Sequence, residues 1–362
     1  MISQRKIAEH LNLGRSTVAN ILRGENLLKY SEETRRAVLE TAERFGYRPN
    51  RASRSIRLGR TNVIGVIHFG GHNDVSRQAF NLLAKGIAAR GYDIYVLDLT
   101  WYDGSISKAL DKLVEMRVEG VVVCYMAHFF GATEIDILKR AKIPAVSIGG
   151  NEKWGIPTVH GDARTPLNQM VKHLVSQGIR RLQILTNHYN ARTTLNRIEG
   201  FKSGILEVGG KILDNPGRSE TIAQWPTEEG IFGKITQIEI APNQFEPAYQ
   251  YVNRLIDAGT LPEAFVCSND QWARQVFLAL LQRGLKVPED VAVTGFDNDN
   301  FGNYPPYYLT TVAQPIEAEC EKVLEILLAL IKGEKLSQEH FVFPCNLVIR
   351  KSSLKPCHSP KH

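Results

Sequence analysis

The strongest constraint on the fold is an alternation of strand-like and helix-like segments that runs from residue 61 to near the end of the chain. Short runs of β-branched residues alternate with longer segments whose apolar residues recur at helical spacing. This alternation is typical of parallel sheets with helices on both faces. Because roughly 290 residues is long for one such sheet, we predict two α/β lobes with a cleft between them. The predicted strands lie near residues 63–67, 94–97, 121–124, 145–148, 182–185, 264–267 and 291–295, and the predicted helices near residues 76–90, 105–116, 163–177, 196–208, 247–258, 270–283 and 316–332.

The start of the chain carries a different pattern, in which two short amphipathic helices flank a tight corner. Within residues 3–24, apolar residues recur at helical spacing on both sides of residues 12–14. Such a pair is typical of a helix-turn-helix, whose second helix enters the major groove of DNA. An ordinary helical hairpin with a solvated outer face is the alternative. The candidates for contacts with bases and phosphates are Arg15, Ser16, Thr17, Asn20 and Arg23.

The basic residues of the chain are concentrated on this same segment. Residues 1–60 hold 13 Lys and Arg against 6 Asp and Glu, a net charge of +7, whereas the later residues have a net charge of −1. A general solvated surface would not segregate charge in this way, but a surface that binds a polyanion would. The charge distribution therefore favours DNA binding over the plain hairpin.

Two further elements are predicted before residue 61. Ser31 is expected to cap a third helix, which closes a small three-helix domain. Residues 47–60 then carry arginines at every third position and too little apolar surface to fold alone. Against DNA this stretch could form a short helix in which Arg51 and Arg54 meet phosphates and Ile56 inserts into the minor groove. A flexible basic linker is the alternative when DNA is absent.

The sequence shows no signal for export, membrane insertion or catalysis. The five cysteines are scattered and form no CxxC pair, which favours reduced thiols in a cytoplasm over disulfides or a zinc site. The N-terminus lacks the apolar stretch of a secretory signal, and no apolar run approaches the ~18 residues of a membrane span. No nucleophile triad, phosphate-binding loop or metal cluster stands at useful spacing. We therefore expect a cytoplasmic protein that is not an enzyme and has no cofactor or metal.

Several short motifs follow one another along essentially the full length of the chain. They are IAEHLNLGRSTVANILRG, YRPNRASRSI, TNVIGVI, VEGVVV, RIEGF, SNDQWA, VPEDVAVTGFDN, LTTVAQP and LVIRKSS. Each motif is weak alone, but their order and spacing together are specific. In that order and spacing the chain resembles the LacI/GalR family of transcriptional regulators. The resemblance implies an N-terminal all-α helix-turn-helix domain followed by an α/β two-lobed periplasmic-binding-protein-like sensor domain. It also implies a ligand in the cleft between the lobes and a homodimer.

The resemblance sets the expected domain boundaries. The expected helix-turn-helix domain spans residues 1–48, the hinge 49–60, the effector-binding and dimerisation domain 61–352, and the tail 353–362. The expected N-lobe comprises about residues 61–161 and 314–343, and the expected C-lobe about residues 162–313 and 344–352.

The resemblance also implies roles for residues near the ends of the sensor strands. Arg197 begins RIEGF, where the family has a ligand-contacting arginine, and its planar fork suits vicinal hydroxyls or a carboxylate. Asp297 ends a buried strand, where its carboxylate could accept ligand hydroxyls or cap the next turn. Asn269 offers a donor and an acceptor, while the adjacent Asp270 is expected to cap the helix that it begins. The other effector-binding candidates are Phe245, as a stacking ring or a core residue, and Asp74 and Ser76, which follow the first strand.

Two segments depart from the family pattern. The hinge is more basic than usual, and its YRPNRASRSI motif ends in the β-branched Ile56. Residues 215–243 form a longer connection than usual, with Trp225, Phe232 and a strand-like stretch at 236–240. This connection is expected to form a local hairpin or a flap near the cleft.

These observations together predict a homodimeric, ligand-responsive transcription regulator, specifically a repressor of carbohydrate genes. Its partners would be double-stranded DNA with a pseudo-palindromic operator and a sugar-like effector. The alternative is a sugar-binding protein or a carbohydrate-active enzyme on a related α/β scaffold. The basic N-terminus and the lack of catalytic motifs disfavour that alternative.

Overall fold

The structure is a computed structural model. It describes residues 2–48, 59–68, 74–99, 106–125, 130–150, 152–187, 192–213, 224–238 and 246–355. The chain divides into two compact units, Met1–Thr61 and Asn62–His362.

The described part of the first unit is all-helical, as predicted. It contains α1 (Gln4–Leu11), α2 (Arg15–Arg23) and α3 (Glu32–Arg44). The corner between α1 and α2 turns at Asn12, which has a left-handed φ of 51°. Ser31 caps α3 because its side chain accepts a hydrogen bond from the Thr34 backbone N–H at 3.2 Å. One apolar cluster holds the three helices together: Ile7, Ala8, Val18, Ile21, Val38 and Ala42.

The second unit contains two lobes, each built on its own parallel sheet. The strands of the first lobe are β1 (Val63–His68), β2 (Asp93–Asp98), β3 (Gly120–Cys124), β4 (Ala145–Ile148), β5 (Thr158–Asp162) and β12 (His340–Pro344), in the order β12-β5-β4-β3-β1-β2. The helices are α4 (Asp74–Ala89), α5 (Ile106–Glu115), α6 (Ala132–Arg140) and α11 (Ile316–Ile331). α4 and α11 pack on one face of the sheet, and α5 and α6 on the other. The fully buried β3 has the continuous apolar run expected of a central parallel strand.

The second lobe repeats this arrangement with five strands. They are β6 (Arg181–Asn187), β7 (Lys211–Leu213), β8 (Phe232–Ile238), β9 (Ala264–Cys267) and β10 (Ala292–Thr294), in the order β10-β9-β6-β8-β7. The helices are α7 (Arg164–Ser176), α8 (Arg192–Glu207), α9 (Pro247–Asp257) and α10 (Asp270–Gln282). α7 and α8 cover one face and α9 and α10 the other. The described chain crosses between the lobes after β5, before α11 and after β12. The last two crossings run beside each other as an antiparallel pair, β11 (Thr311–Ala313) and β13 (Asn346–Val348).

The predicted fold class is confirmed, and every predicted strand and helix is present with ends that differ by a few residues. Among the described helices and strands, the sequence pattern missed α6 and the short strands β5, β7, β11, β12 and β13.

The prediction for residues 215–243 is wrong over the part that the structure describes. Phe232–Ile238 is neither a local hairpin nor a flap, because it pairs in parallel with both β6 and β7 inside the second sheet. Trp225 is buried and its indole N–H donates to the Thr260 carbonyl at 3.0 Å. Residues 214–223 and 239–245 lie outside the described residues.

No helix in the described ranges has the length and apolar character needed to cross a bilayer.

The packing of α8 against α7 depends on a glycine of the RIEGF motif. A Cβ on Gly200 would lie 2.5 Å from the Arg164 carbonyl oxygen and 2.8 Å from the Leu167 Cβ. Backbone atoms cannot move aside as a flexible side chain can. We therefore expect Gly200→Ala to lower the free energy of unfolding by about 3 kcal/mol. Urea denaturation followed by tryptophan fluorescence measures this, with Leu206→Ala as the control on the same helix, where Leu206 is 61% exposed. If the two variants were equally stable, the inference that Gly200 allows the close contact between α8 and α7 would be wrong.

Candidate functional site

A small cavity lies between the two lobes, at the carboxyl ends of strands from both sheets. Ligands of open α/β sheets bind at this end. The first lobe lines the cavity with Tyr125, Gly149, Gly150, His160 and Gly161, the second lobe with Ala163, Arg192, Thr193, Asn196, Arg197 and Phe296, and the crossover before α11 with Gln314.

Arg197 lies in the wall of this cavity, on the second turn of α8. Its Nη1 donates to the Ser268 carbonyl at 2.6 Å, and its guanidinium stacks on the Phe296 ring at 3.9 Å. Its Nη2 lies 3.6 Å from the Asp297 carboxylate, and its buried Nε has no hydrogen-bond partner among the described residues. Burial lowers the pKa of the Arg197 guanidinium, and Asp297 opposes that shift. The packing fixes the planar fork in one orientation, which leaves a preformed donor for a polar ligand.

Asp297 faces Arg197 from the end of β10 and is nearly fully buried. Its Oδ1 accepts a hydrogen bond from Gln314 Nε2 at 2.7 Å. Burial raises the pKa of Asp297 to about 7, although the Arg197 charge acts in the opposite direction. The sequence predicted Arg197 and Asp297 separately, and the structure brings them together.

The backbone that carries Asp297 is unusual. Asp297 has a φ of 114° and Asn298 a φ of 57°, both in the region that favours glycine. Arg350, in the LVIRKSS motif, braces this loop by donating to Asn298 Oδ1 at 2.7 Å and to Asn303 Oδ1 at 2.6 Å. Such strained conformations persist only where the surroundings enforce them, and they cluster at functional sites.

The prediction that Asp270 caps α10 is wrong, because Asn269 has that role. Asn269 Oδ1 accepts a hydrogen bond from the Trp272 backbone N–H at 2.9 Å. Asp270 is fully buried and instead accepts from the Thr311 hydroxyl at 2.6 Å and from the Asp299 backbone N–H at 2.7 Å. It therefore joins the loop after β10 to strand β11.

The remaining predicted effector residues lie elsewhere. Asp74 accepts hydrogen bonds from Arg77 at 2.5 Å and, across the lobes, from the Asn300 backbone N–H at 3.3 Å. Ser76 is half-buried on α4. Asp74, Ser76 and Asn269 are not among the residues that line the cavity. Phe245 lies outside the described residues.

The sequence analysis did not select several polar residues that line the cavity: Tyr125, His160, Arg192, Thr193, Asn196 and Gln314. A signal existed for some of them. Arg192, Thr193 and Asn196 immediately precede Arg197 on the same helix, and Gln314 is part of LTTVAQP. Tyr125 and His160 carry no motif and come from the other lobe.

The helix-turn-helix unit presents the beginning of α2 to solvent. Arg15 and Ser16 are exposed and Thr17 is half-buried. Asn20 is held inside the unit, since its Nδ2 donates to the Tyr30 hydroxyl at 2.9 Å and its Oδ1 accepts from Arg23 at 2.5 Å. The hinge candidates Arg51, Arg54 and Ile56 lie outside the described residues.

Two protein-family descriptions match the second unit of this chain. One is a periplasmic binding protein-like domain over residues 171–353. The other is periplasmic binding proteins and sugar binding domain of LacI family, over residues 62–225.

Curated relatives match over nearly the whole length. The HTH-type transcriptional repressor PurR of Pasteurella multocida is 24% identical over 358 residues, which are 97% of this chain and 98% of the relative. The probable HTH-type transcriptional repressor ExuR of Bacillus subtilis is 23% identical over 356 residues, with the same coverage. Both are regulators, in agreement with the prediction that this chain is not an enzyme.

Solved structures share the fold at low identity. The lac repressor dimer bound to operator and the anti-inducer ONPF has a TM-score of 0.78 and 19% identity, covering 98% of this chain and 99% of that chain. The transcriptional regulator CelR in complex with cellobiose has a TM-score of 0.65 and 20% identity, covering 97% and 100%. By its motifs, its two-lobed sensor and these matches, the chain belongs to the LacI/GalR family of transcriptional regulators.

Proposed function

We propose that this chain is a sequence-specific repressor whose affinity for DNA is set by a small polar ligand in the cleft. The observation that carries the proposal is the Arg197–Asp297 pair. Arg197 is held on the Phe296 ring, with its Nη2 3.6 Å from the buried Asp297 carboxylate, beside a cavity and on the same chain as a basic three-helix unit.

The DNA-binding surface would be the exposed start of α2. Arg15, Ser16 and Thr17 present donors and acceptors suited to base edges and phosphates. Asn20 and Arg23 would contact DNA as well if the hydrogen bond that Arg23 donates to Asn20 is released. If that hydrogen bond is kept, the two residues would orient α2. The hinge residues Arg51 and Arg54 would contact phosphates while Ile56 opens a base step.

The protein would act in the cytoplasm as a homodimer, with one α2 helix in each half-site of a pseudo-palindromic operator. Twofold symmetry of the protein then matches that of the DNA. The lac repressor in the structure compared above is a dimer on its operator, which supports this arrangement.

The ligand would be a sugar or a sugar derivative, and the regulated genes would serve carbohydrate use. Structural neighbours were solved with cellobiose and with D-xylulofuranose. Arg197 and Asp297 would contact the ligand directly. Asn269, Asp74 and Ser76 remain proposed contacts, reached when the lobes change their closure. Phe245 also remains a proposed contact.

Ligand and DNA would be coupled through lobe closure. The coupling is reciprocal, so a ligand that weakens operator binding is itself bound more weakly by the DNA complex. A ligand that binds equally well to both arrangements of the lobes would leave the affinity for DNA unchanged.

Fluorescence anisotropy with duplex fragments from the neighbourhood of its own gene tests the proposal. We expect one fragment to bind at least about 100-fold more tightly than a scrambled duplex of the same length at moderate salt. We also expect a cleft ligand to change that affinity about 5- to 150-fold. Equal binding of all duplexes, with and without sugars, would overturn the proposal.

A further inference from the structure

The side chains that line the cavity carry more positive than negative charge. Among the described lining residues, Arg192 and Arg197 are guanidinium groups, and none is Asp or Glu. The other polar side chains there include Asn196 and Gln314, whose amides donate as readily as they accept. The wall of the cavity is therefore richer in donors and positive charge than recognition of neutral hydroxyls requires.

The backbone adds to this positive character. α8 begins at Arg192, and Arg192, Thr193, Asn196 and Arg197 all lie in its first two turns and all line the cavity. The first N–H groups of a helix lack intrahelical partners, and the helix dipole places partial positive charge there. Both features favour an anion at this end of α8.

The Asp297 carboxylate compensates the charge of Arg197 only in part. The Asp297 carboxylate is 3.6 Å from Arg197 Nη2, beyond hydrogen-bond distance, and its Oδ1 is already engaged by Gln314. Because burial raises the pKa of Asp297 to about 7, this carboxyl carries less than a full negative charge near neutral pH. Arg197 Nε meanwhile has no hydrogen-bond partner among the described residues. A carboxylate of the ligand could accept a hydrogen bond from this N–H group.

We propose that the cleft ligand is a sugar acid whose carboxylate binds Arg192 and Arg197 at the start of α8. The proposal rests on the proposed function and specifies its ligand class. A carboxylate matches the guanidinium fork in two-point geometry, which a single hydroxyl cannot do. The hydroxyls of the same ligand would be read by Asn196, Gln314 and Asp297.

Matched pairs of ligands test the charge requirement on the full chain. Isothermal titration compares D-galacturonate with D-galactose, and D-glucuronate and D-gluconate with D-glucose, as sodium salts at equal ionic strength near pH 7. We expect at least one acid to bind about 10-fold or more tightly than its neutral parent. A neutral parent that binds as tightly as its acid would overturn the proposal, and so would the failure of every acid to bind at about 20 mM.

A variant pair then locates the carboxylate. Arg192→Gln is expected to weaken binding of the acid about 10-fold or more and to change binding of the neutral parent less than about twofold. Lys202→Gln removes one positive charge from an exposed position on the same helix and is expected to change neither. An equal loss of acid and neutral ligand in Arg192→Gln would mean that Arg192 supports the wall without reading charge.

The outcomes separate this inference from the proposed function. If a neutral sugar binds the cleft and changes DNA affinity, the sugar-acid proposal fails and the repressor proposal stands. If an acid binds but no duplex is preferred over a scrambled one, the repressor proposal fails instead.

Discussion

Replacing Arg197 with alanine is expected to weaken ligand binding about 100-fold or more and to abolish the effect of ligand on DNA affinity, while operator affinity is kept. The variant loses the planar donor fork, and the stacking that orients it on Phe296 disappears with it. Hydrogen bonds to a charged donor contribute about 1.5–3 kcal/mol each, and tenfold in affinity is about 1.4 kcal/mol. The loss of two such bonds accounts for the expected change. Titration calorimetry with the best ligand of the sugar and sugar-acid panel measures it.

Two further variants show whether the fork or the charge matters. Arg197→Lys keeps a positive charge without the fork and is expected to recover little of the affinity. Lys202→Ala, on the exposed side of α8, is expected to behave like the unchanged chain. If Arg197→Ala loses DNA binding together with ligand binding, Arg197 supports the fold and is not primarily a ligand contact.

The fold was predictable where the local pattern and the tertiary environment agree. Long amphipathic helices such as α4 and buried central strands such as β3 show strong periodicity, and these were found. β12 was missed because it is an edge strand, whose one partner among the described strands is β5, and because it ends at Pro344. Edge strands need neither two apolar faces nor full backbone pairing.

Strand β8 was recognised in part, as a strand-like stretch at 236–240, but its place inside the second sheet was not predicted. Its sequence, FGKITQI, contains Lys234, and a lysine usually indicates solvent exposure. Here Lys234 is nearly fully buried, and its ammonium lies 4.0 Å from the centre of the Trp225 ring and donates to the Gln224 carbonyl. Because tertiary structure brings these partners to Lys234, the sequence pattern alone could not show that this strand is buried inside the sheet.

The candidate site was predictable on one side only. Arg197 and Asp297 lie 100 positions apart, but both stand at the carboxyl end of the second sheet, and topology brings such residues together. Tyr125 and His160 come from the first lobe, and their proximity to Arg197 depends on how the two lobes close. The wrong assignment of the cap to Asp270 has a local cause. Asn and Asp both cap helices well, and the sequence does not show at which of the two adjacent residues the helix begins.

A buried carboxyl beneath the cleft gives the second prediction, which concerns pH. Glu319 is fully buried in the first turn of α11; its Oε2 accepts a hydrogen bond from the Tyr125 hydroxyl at 2.9 Å, and its Oε1 has no partner among the described residues. Burial raises the pKa of Glu319 from 4.5 to about 7, against the effect of the Tyr125 hydrogen bond. The folded protein therefore holds this proton up to a higher pH than the unfolded chain does. The stability that this provides is complete below about pH 4.5 and is lost as the pH rises through about 7.

Glu319→Gln removes this dependence, because an amide of nearly the same shape does not ionise and its oxygen still accepts from Tyr125. We expect the stability difference between the variant and the unchanged chain to shift by about 3 kcal/mol in favour of the variant between about pH 4.5 and pH 8. Any constant cost of placing the amide N–H₂ group cancels in this comparison. Urea denaturation across that pH range measures the shift.

The groups around Glu319 make the experiment specific. Burial raises the pKa of Tyr125 well above its usual value, and it raises the pKa values of Cys320 and Cys345 to about 12, so none of them titrates in this range. Glu317 lies in the same helical turn but is exposed. Glu317→Gln is the matched control: its difference in unfolding free energy from the unchanged chain should stay constant over the same pH range. A flat profile for Glu319→Gln as well would mean that Glu319 ionises at its ordinary pKa and that water reaches the floor of the cleft.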